Sequence, residues 1–134
     1  MNNKILVVDD SHEIRAAIRA AIEKRTDWIV FEAEHGQIAV IMIGTHKPHL
    51  VILDLSMPVM NGLDAAREIS KIAPGMPMIM FTMFESGHLV EAALKVGIKH
   101  VFSKSDGFGD HVFTAMRAML PQPADKSLRN SAGS

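Results

Sequence analysis

The chain has no cysteine among its 134 residues, which excludes disulfides and thiolate metal centres. Aromatic residues make up only 5%, so any core must be filled by aliphatic side chains and by the ten methionines, which adapt to irregular interiors. A charge excess is missing too: fourteen Lys and Arg against fifteen Asp and Glu leave a formal net charge of -1. Nucleic-acid-binding domains usually carry a basic stripe and a high pI, so direct DNA or RNA binding by this chain is not expected. Long apolar runs are lacking as well. The N-terminus reaches only four apolar residues, 5–8, before two aspartates. That is too few for a signal peptide, and no stretch approaches a membrane span. The expectation is a soluble, cytoplasmic protein with one compact core.

What is present is a regular alternation. Short apolar runs at residues 5–8, 28–31, 50–53, 76–81 and 100–102 have strand length, and three are almost continuously apolar, as in strands covered on both faces. Between them lie stretches with helical spacing. Ile14, Ile18, Ala21 and Ile22 share a face in the first, Leu63, Ala66 and Ile69 in the third, and Leu89, Ala92, Ala93 and Val96 in the fourth. A second helix around 37–43, apolar almost all round, and a last one around 109–120 complete the series. Five strand–helix repeats predict an α/β fold, a parallel sheet with helices on both faces. Right-handed crossovers and short connections leave few topologies open, one of them the five-stranded, doubly wound sheet. Residues 122–134, rich in Pro, Ser, Ala and polar side chains, read as a flexible tail or linker after a domain spanning 1–121.

In a doubly wound sheet, ligands sit beyond the carboxyl ends of the strands. There the sequence places Asp9 and Asp10 after the first strand, Asp54 after the third, Thr82 after the fourth, and Ser103 and Lys104 after the fifth. Singly, each has an ordinary explanation: Asp10 or Ser11 as a helix cap, Thr82 as a turn residue, Lys104 as a surface charge. Together they converge on one edge. Three carboxylates there repel one another and call for a cation. Mg²⁺, with one or two carboxylates, waters and a phosphate oxygen, suits such a site. Lys104 would offer a point charge to phosphate oxygens and Thr82 a hydrogen bond. The ensemble fits in-line phosphoryl transfer to a carboxylate. The seven histidines include no pair at zinc spacing within a helix.

At these residues the sequence resembles the receiver domains of two-component response regulators, over about residues 4–120. The resemblance rests on Asp9-Asp10, on the segment Asp54-Leu55-Ser56-Met57-Pro58-Val59-Met60-Asn61-Gly62, on Thr82, and on Lys104 preceded by Phe102. It implies the doubly wound flavodoxin-like fold, five parallel strands in the order 2-1-3-4-5 with five helices, and a phosphorelay role. Asp54 would be the phosphoacceptor, charged by a sensor histidine kinase or phosphotransfer protein. Asp10, Asp54 and the Ser56 backbone carbonyl would ligate Mg²⁺, with Asp9 acting through water. Lys104 would pair with the phosphoryl group, while Thr82 moves toward it and Phe102 turns inward. The output face would be the fourth helix, fifth strand and fifth helix, about 85–120, which also implies a homodimer through the last two helices.

Three positions depart from the common pattern. Ser105 follows Lys104 where proline is frequent, so the loop into the last helix is expected to differ. Met83 stands where a small residue is usual and would narrow access to the acyl phosphate. Phe84 is apolar at a position that tunes water attack, which predicts a long-lived phospho-form. Three other readings compete. A phosphatase of the aspartyl-phosphate type would need a second acid two residues after the nucleophile, where Ser56 stands. A phosphorylation-independent interaction module would not need the intact acidic pair, Thr82 and Lys104. The N-terminal part of a DNA-binding transcription regulator, its output domain absent, is compatible with the tail and with Ser105.

Overall fold

A computed structural model of the chain describes residues 2–83 and 85–121. The elements alternate as β1 (Lys4–Val8), α1 (His12–Arg25), β2 (Ile29–Ala33), α2 (Gly36–His46), β3 (Leu50–Leu53), α3 (Gly62–Ile72), β4 (Met78–Thr82), α4 (Gly87–Lys95), β5 (His100–Ser103) and α5 (Asp110–Met119). A single 3₁₀ turn, Lys104–Asp106, precedes α5. All strand pairs are parallel and the sheet order is β2-β1-β3-β4-β5, the expected doubly wound arrangement.

Alternation along the central strands explains the two-sided burial. Leu6, Val8, Val51, Leu53, Met78 and Met80 meet Ala39, Ile43, Ala65, Ala66, Ile69, Leu89 and Ala93 from α2, α3 and α4. Ile5, Val7, Leu50, Ile52, Ile79 and Phe81 meet Ile18 and Ile22 of α1 and Val112, Phe113 and Met116 of α5 on the other face. β3 is buried at all four residues, as its unbroken apolar run requires.

Element limits shift where local chemistry intervenes. β2 begins at Ile29 rather than at Trp28, whose ring stacks at 6.4 Å on Phe113 of α5. β4 begins after Pro77, which has no N–H to give the ladder, although its carbonyl accepts from Val51 N at 2.9 Å. α2 runs longer than its central apolar stretch, from Gly36 to His46. Its start is fixed by His35, whose Nδ1 accepts from Ile38 N at 3.3 Å, and its end by Lys47 in the left-handed conformation, φ 48°. Ser11, Asn61 and Ser86 cap α1, α3 and α4 through side-chain oxygens, each sparing an orphan helix N–H. None of the described helices is long and apolar enough to cross a membrane. The expected tail, 122–134, lies outside the described residues.

Candidate functional site

Parallel pairing brings the C-terminal ends of β1, β3, β4 and β5 to one edge, and the side chains singled out above meet there. One carboxylate oxygen each from Asp9, Asp10 and Asp54 lies within 4.8 Å of the others. Asp9 and Asp54 are buried, at 2% and 6% exposure, while Asp10 is exposed. Lys104 reaches back from the start of the 3₁₀ turn. Its Nζ donates to Asp9 Oδ2 at 2.7 Å and stands 3.3 Å from Asp54 Oδ2. The remaining oxygens of the two buried acids have backbone partners: Ser11 N donates to Asp9 Oδ1 at 2.9 Å and Leu55 N to Asp54 Oδ1 at 2.8 Å. Thr82, 1% exposed, ends β4 beside them.

The charges do not balance. Three carboxylates face one ammonium, and Asp10 has no hydrogen bond or ion pair among the described residues. Burial, and then the neighbouring Asp9 charge, push the Asp54 carboxyl above its ordinary pKa, against the pull of Lys104 and the Leu55 N–H. Burial also opposes the charge on Lys104, but the Asp9 hydrogen bond and the charges of Asp54 and Asp9 outweigh it and raise its pKa. A hard cation with oxygen ligands would relieve this imbalance. The donor set fits Mg²⁺: carboxylates only, no sulfur or imidazole, and one exposed acid at the rim. An open depression of about 530 Å³ adjoins it, lined by Asp10, Leu55, Ser56, Met57 and Asn61.

The loop from β3 to α3 is held against the sheet by a close backbone approach. Gly62 N donates to Leu55 O at 2.8 Å, and a Cβ on Gly62 would stand 2.1 Å from the Asp54 carbonyl oxygen. Only glycine permits this contact, so the last residue of the sequence motif is fixed by packing under Asp54. Within the loop, Met60 N donates to Pro58 O at 2.7 Å across Val59, which has φ 71° and is 79% exposed. Such a γ-turn is strained for a β-branched residue.

Of the other residues singled out in the sequence, Ser56 is exposed at the depression and Met83 is 60% exposed. Phe84 lies outside the described residues. Phe102 is half-buried on β5, stacked on His100 at 5.7 Å and edge-on to His111 of α5 at 5.5 Å. Ser105, in place of the commoner proline, sits in the 3₁₀ turn. Its N donates to Ser103 Oγ at 3.2 Å, and the two hydroxyls lie 2.7 Å apart. Sequence reasoning missed Arg15. Its guanidinium holds the Asp9 backbone carbonyl at 2.7 Å and Glu32 of β2 at 3.0 Å, contacts that no periodicity reveals.

Residues 5–111 match the response regulator receiver domain family, and the chain belongs to it. It is 35% identical over 104 residues to the chemotaxis protein CheY of Thermotoga maritima, covering 78% of this chain and 87% of that protein. It is 33% identical over 119 residues to the transcriptional regulatory protein YdfI of Bacillus subtilis, covering 88% of this chain but only 55% of YdfI. Among solved structures, the response regulator TrrA of Thermotoga maritima, in complex with Mg²⁺ and BeF, superposes with a TM-score of 0.79 at 27% identity, over 88% of this chain and 99% of that one.

Proposed function

We propose that this receiver domain takes a phosphoryl group on Asp54 from a phosphohistidine of a sensor histidine kinase or phosphotransfer protein, in a Mg²⁺-dependent reaction. The observation that carries the proposal is the meeting of Asp9, Asp10 and Asp54 with Lys104 at the carboxyl edge of the sheet. Asp10, Asp54 and the Ser56 carbonyl would hold the ion directly and Asp9 through water. Bound there, Mg²⁺ would supply charge neutralisation for the phosphoryl oxygens.

The residues of the chain do the rest. An Asp54 oxygen attacks phosphorus in line, forming the O–P bond as the P–N bond to the donor imidazole breaks; that imidazole leaves with the bonding pair and takes up a proton. Lys104 exchanges part of its hold on Asp54 for the new phosphoryl oxygens, and the Thr82 hydroxyl donates to one of them. The added charge of nearly two units needs an element with two arrangements to act on. Phe102, half-buried and held between two imidazoles at the surface, supplies one by turning inward toward the space beside Thr82. The α4–β5–α5 face then changes as the output surface, and it is also the face through which we propose homodimers form. From their places in the sequence after Thr82, Met83 would narrow access to the acyl phosphate and an apolar residue 84 would lengthen its lifetime.

We place the folded domain at 1–121 and a linker or tail at 122–134, in a protein of the cytoplasm. The effector is a separate protein or an output domain. The mechanism involves no turnover of an external phosphoester, because Ser56 offers no acid where a phosphatase would need one. The test is intact mass after incubation with acetyl phosphate, with and without Mg²⁺. One adduct that requires Mg²⁺ and is absent from Asp54→Asn is expected; none on folded wild-type protein would favour a phosphorylation-independent module.

A further inference from the structure

Asp10 is the one acid of the cluster that no contact among the described residues holds in place, yet it is the most exposed to an incoming cation. Its position is set through the backbone, by the peptide that joins it to Asp9. That peptide is fixed on its carbonyl side by Arg15, whose Nη1 donates to Asp9 O at 2.7 Å. Asp9 itself is tied on three further sides: its N–H donates to Ala33 O at 3.2 Å, and its carboxylate accepts from Ser11 N and Lys104 Nζ. Arg15 is the part of this frame that aims the following residue.

Arg15 is itself held. Its Nε donates to Glu32 Oε1 at 3.0 Å, with only 12% of the side chain exposed. Glu32 pairs in register with Val7, so its carboxylate lies on the α1 face of the sheet. Burial works against the charge on Glu32, but Arg19 and Arg15 outweigh it and lower its pKa. The second oxygen of Glu32 accepts from Arg19 Nε at 2.7 Å. Both arginines thus share one carboxylate, but of the two only Arg15 also reaches the Asp9 carbonyl. Arg15 spans the carbonyl and the carboxylate with two different nitrogens of its rigid planar fork, whereas an ammonium would have to bring both acceptors to one atom at the end of a flexible stem.

We infer that Arg15 is a positioning residue for the cation site, fixing the Asp9–Asp10 peptide so that the Asp10 carboxylate converges with Asp54. The inference rests on the Mg²⁺ reading above and adds to it a residue that touches neither metal nor phosphate. Outer-shell partners of this kind commonly change metal affinity by tenfold or more.

The experiment measures Mg²⁺ binding directly, by titration without a phosphodonor, together with thermal stability, for wild type, Arg15→Lys, Arg15→Met and Arg19→Met. Arg19→Met is the control, because it also removes a Glu32 ion pair but leaves Asp9 untouched. The expected result is Mg²⁺ affinity about tenfold weaker in both Arg15 variants and unchanged in Arg19→Met, at similar small losses of melting temperature. Wild-type affinity in Arg15→Lys and Arg15→Met would overturn the inference, as would equal weakening in Arg19→Met, which would assign the effect to general stability. Should Arg15→Met fail to fold, Arg15→Lys carries the test. Absence of Mg²⁺ binding to wild-type protein would overturn the metal reading itself, and this inference with it.

Discussion

Replacing Asp54 by asparagine in the metal-free protein removes a charge that the fold holds at a cost. Burial comes first: the carboxylate is 6% exposed, and desolvation disfavours its ionised form. Asp9 repels it by at least about 3.5 kcal/mol at a separation within 4.8 Å, taking an effective dielectric of about 20. Lys104 at 3.3 Å returns roughly 5 kcal/mol on the same scale, and Asp10 adds further repulsion. Repulsion from the two acids thus at least offsets the attraction of Lys104, which leaves desolvation uncompensated. Asparagine keeps the acceptor for Leu55 N with nearly the same shape. Asp54→Asn is therefore expected to stabilise the metal-free protein by about 1–2 kcal/mol, a rise of roughly 3–8 °C in melting temperature for a domain of this size.

The pH dependence has a definite sign. A carboxyl whose folded pKa is raised contributes stability that is complete below its unfolded pKa and is lost as pH rises through the folded value. The gap between Asp54→Asn and wild type should thus be small in acid and full at neutral pH. Calorimetry in EDTA across that range is the assay, repeated with Mg²⁺, which should raise the wild-type melting temperature more than that of the variant. A variant less stable than wild type by 1 kcal/mol at neutral pH without metal would refute the reasoning.

Lys104→Met leaves Asp9 and Asp54, with side chains 3% and 7% exposed, facing each other without their cation. A loss of about 3 kcal/mol in metal-free denaturant unfolding is expected, and adding Asp54→Asn should restore much of it; simple additivity of the two changes would contradict the coupling. Gly62→Ala drives a methyl group to 2.1 Å from the Asp54 carbonyl oxygen, so the β3–α3 loop must move. We expect a loss of about 3 kcal/mol, and an unfolding midpoint within error of wild type would show that the close approach is wrong. Glu32→Gln should cost roughly 1 kcal/mol at neutral pH, discounted for partial exposure. Because the folded pKa of Glu32 is lowered, that difference should be lost as pH falls through the folded value; a gap that widened in acid would contradict the ion-pair account.

The sheet and its functional edge were legible because the strands are apolar on both faces and end in polar residues. Asp9, Asp10, Asp54, Thr82 and Lys104 could be placed together from strand order alone. What escaped depends on contacts across the fold. Arg15 and Glu32 are 17 residues apart, and their pairing follows from the register of Val7 against Glu32, which no local pattern encodes. The start of β2 was misjudged because Trp28 is apolar yet packs on α5. The 3₁₀ turn at Lys104–Asp106 has no periodic signature; it follows from Ser103 and Ser105 bonding each other. His35 as a helix cap could have been suspected from its place before the glycine that opens α2.

The most direct test of the account asks which atom carries the phosphoryl group. Borohydride reduction of the protein after acetyl phosphate and Mg²⁺ treatment converts an aspartyl phosphate to homoserine, and peptide mass mapping locates it. Homoserine at position 54 alone is the predicted result. Reduction at Asp9 or Asp10 instead, or a phosphorylated serine or histidine with Asp54 unchanged, would contradict the central claim.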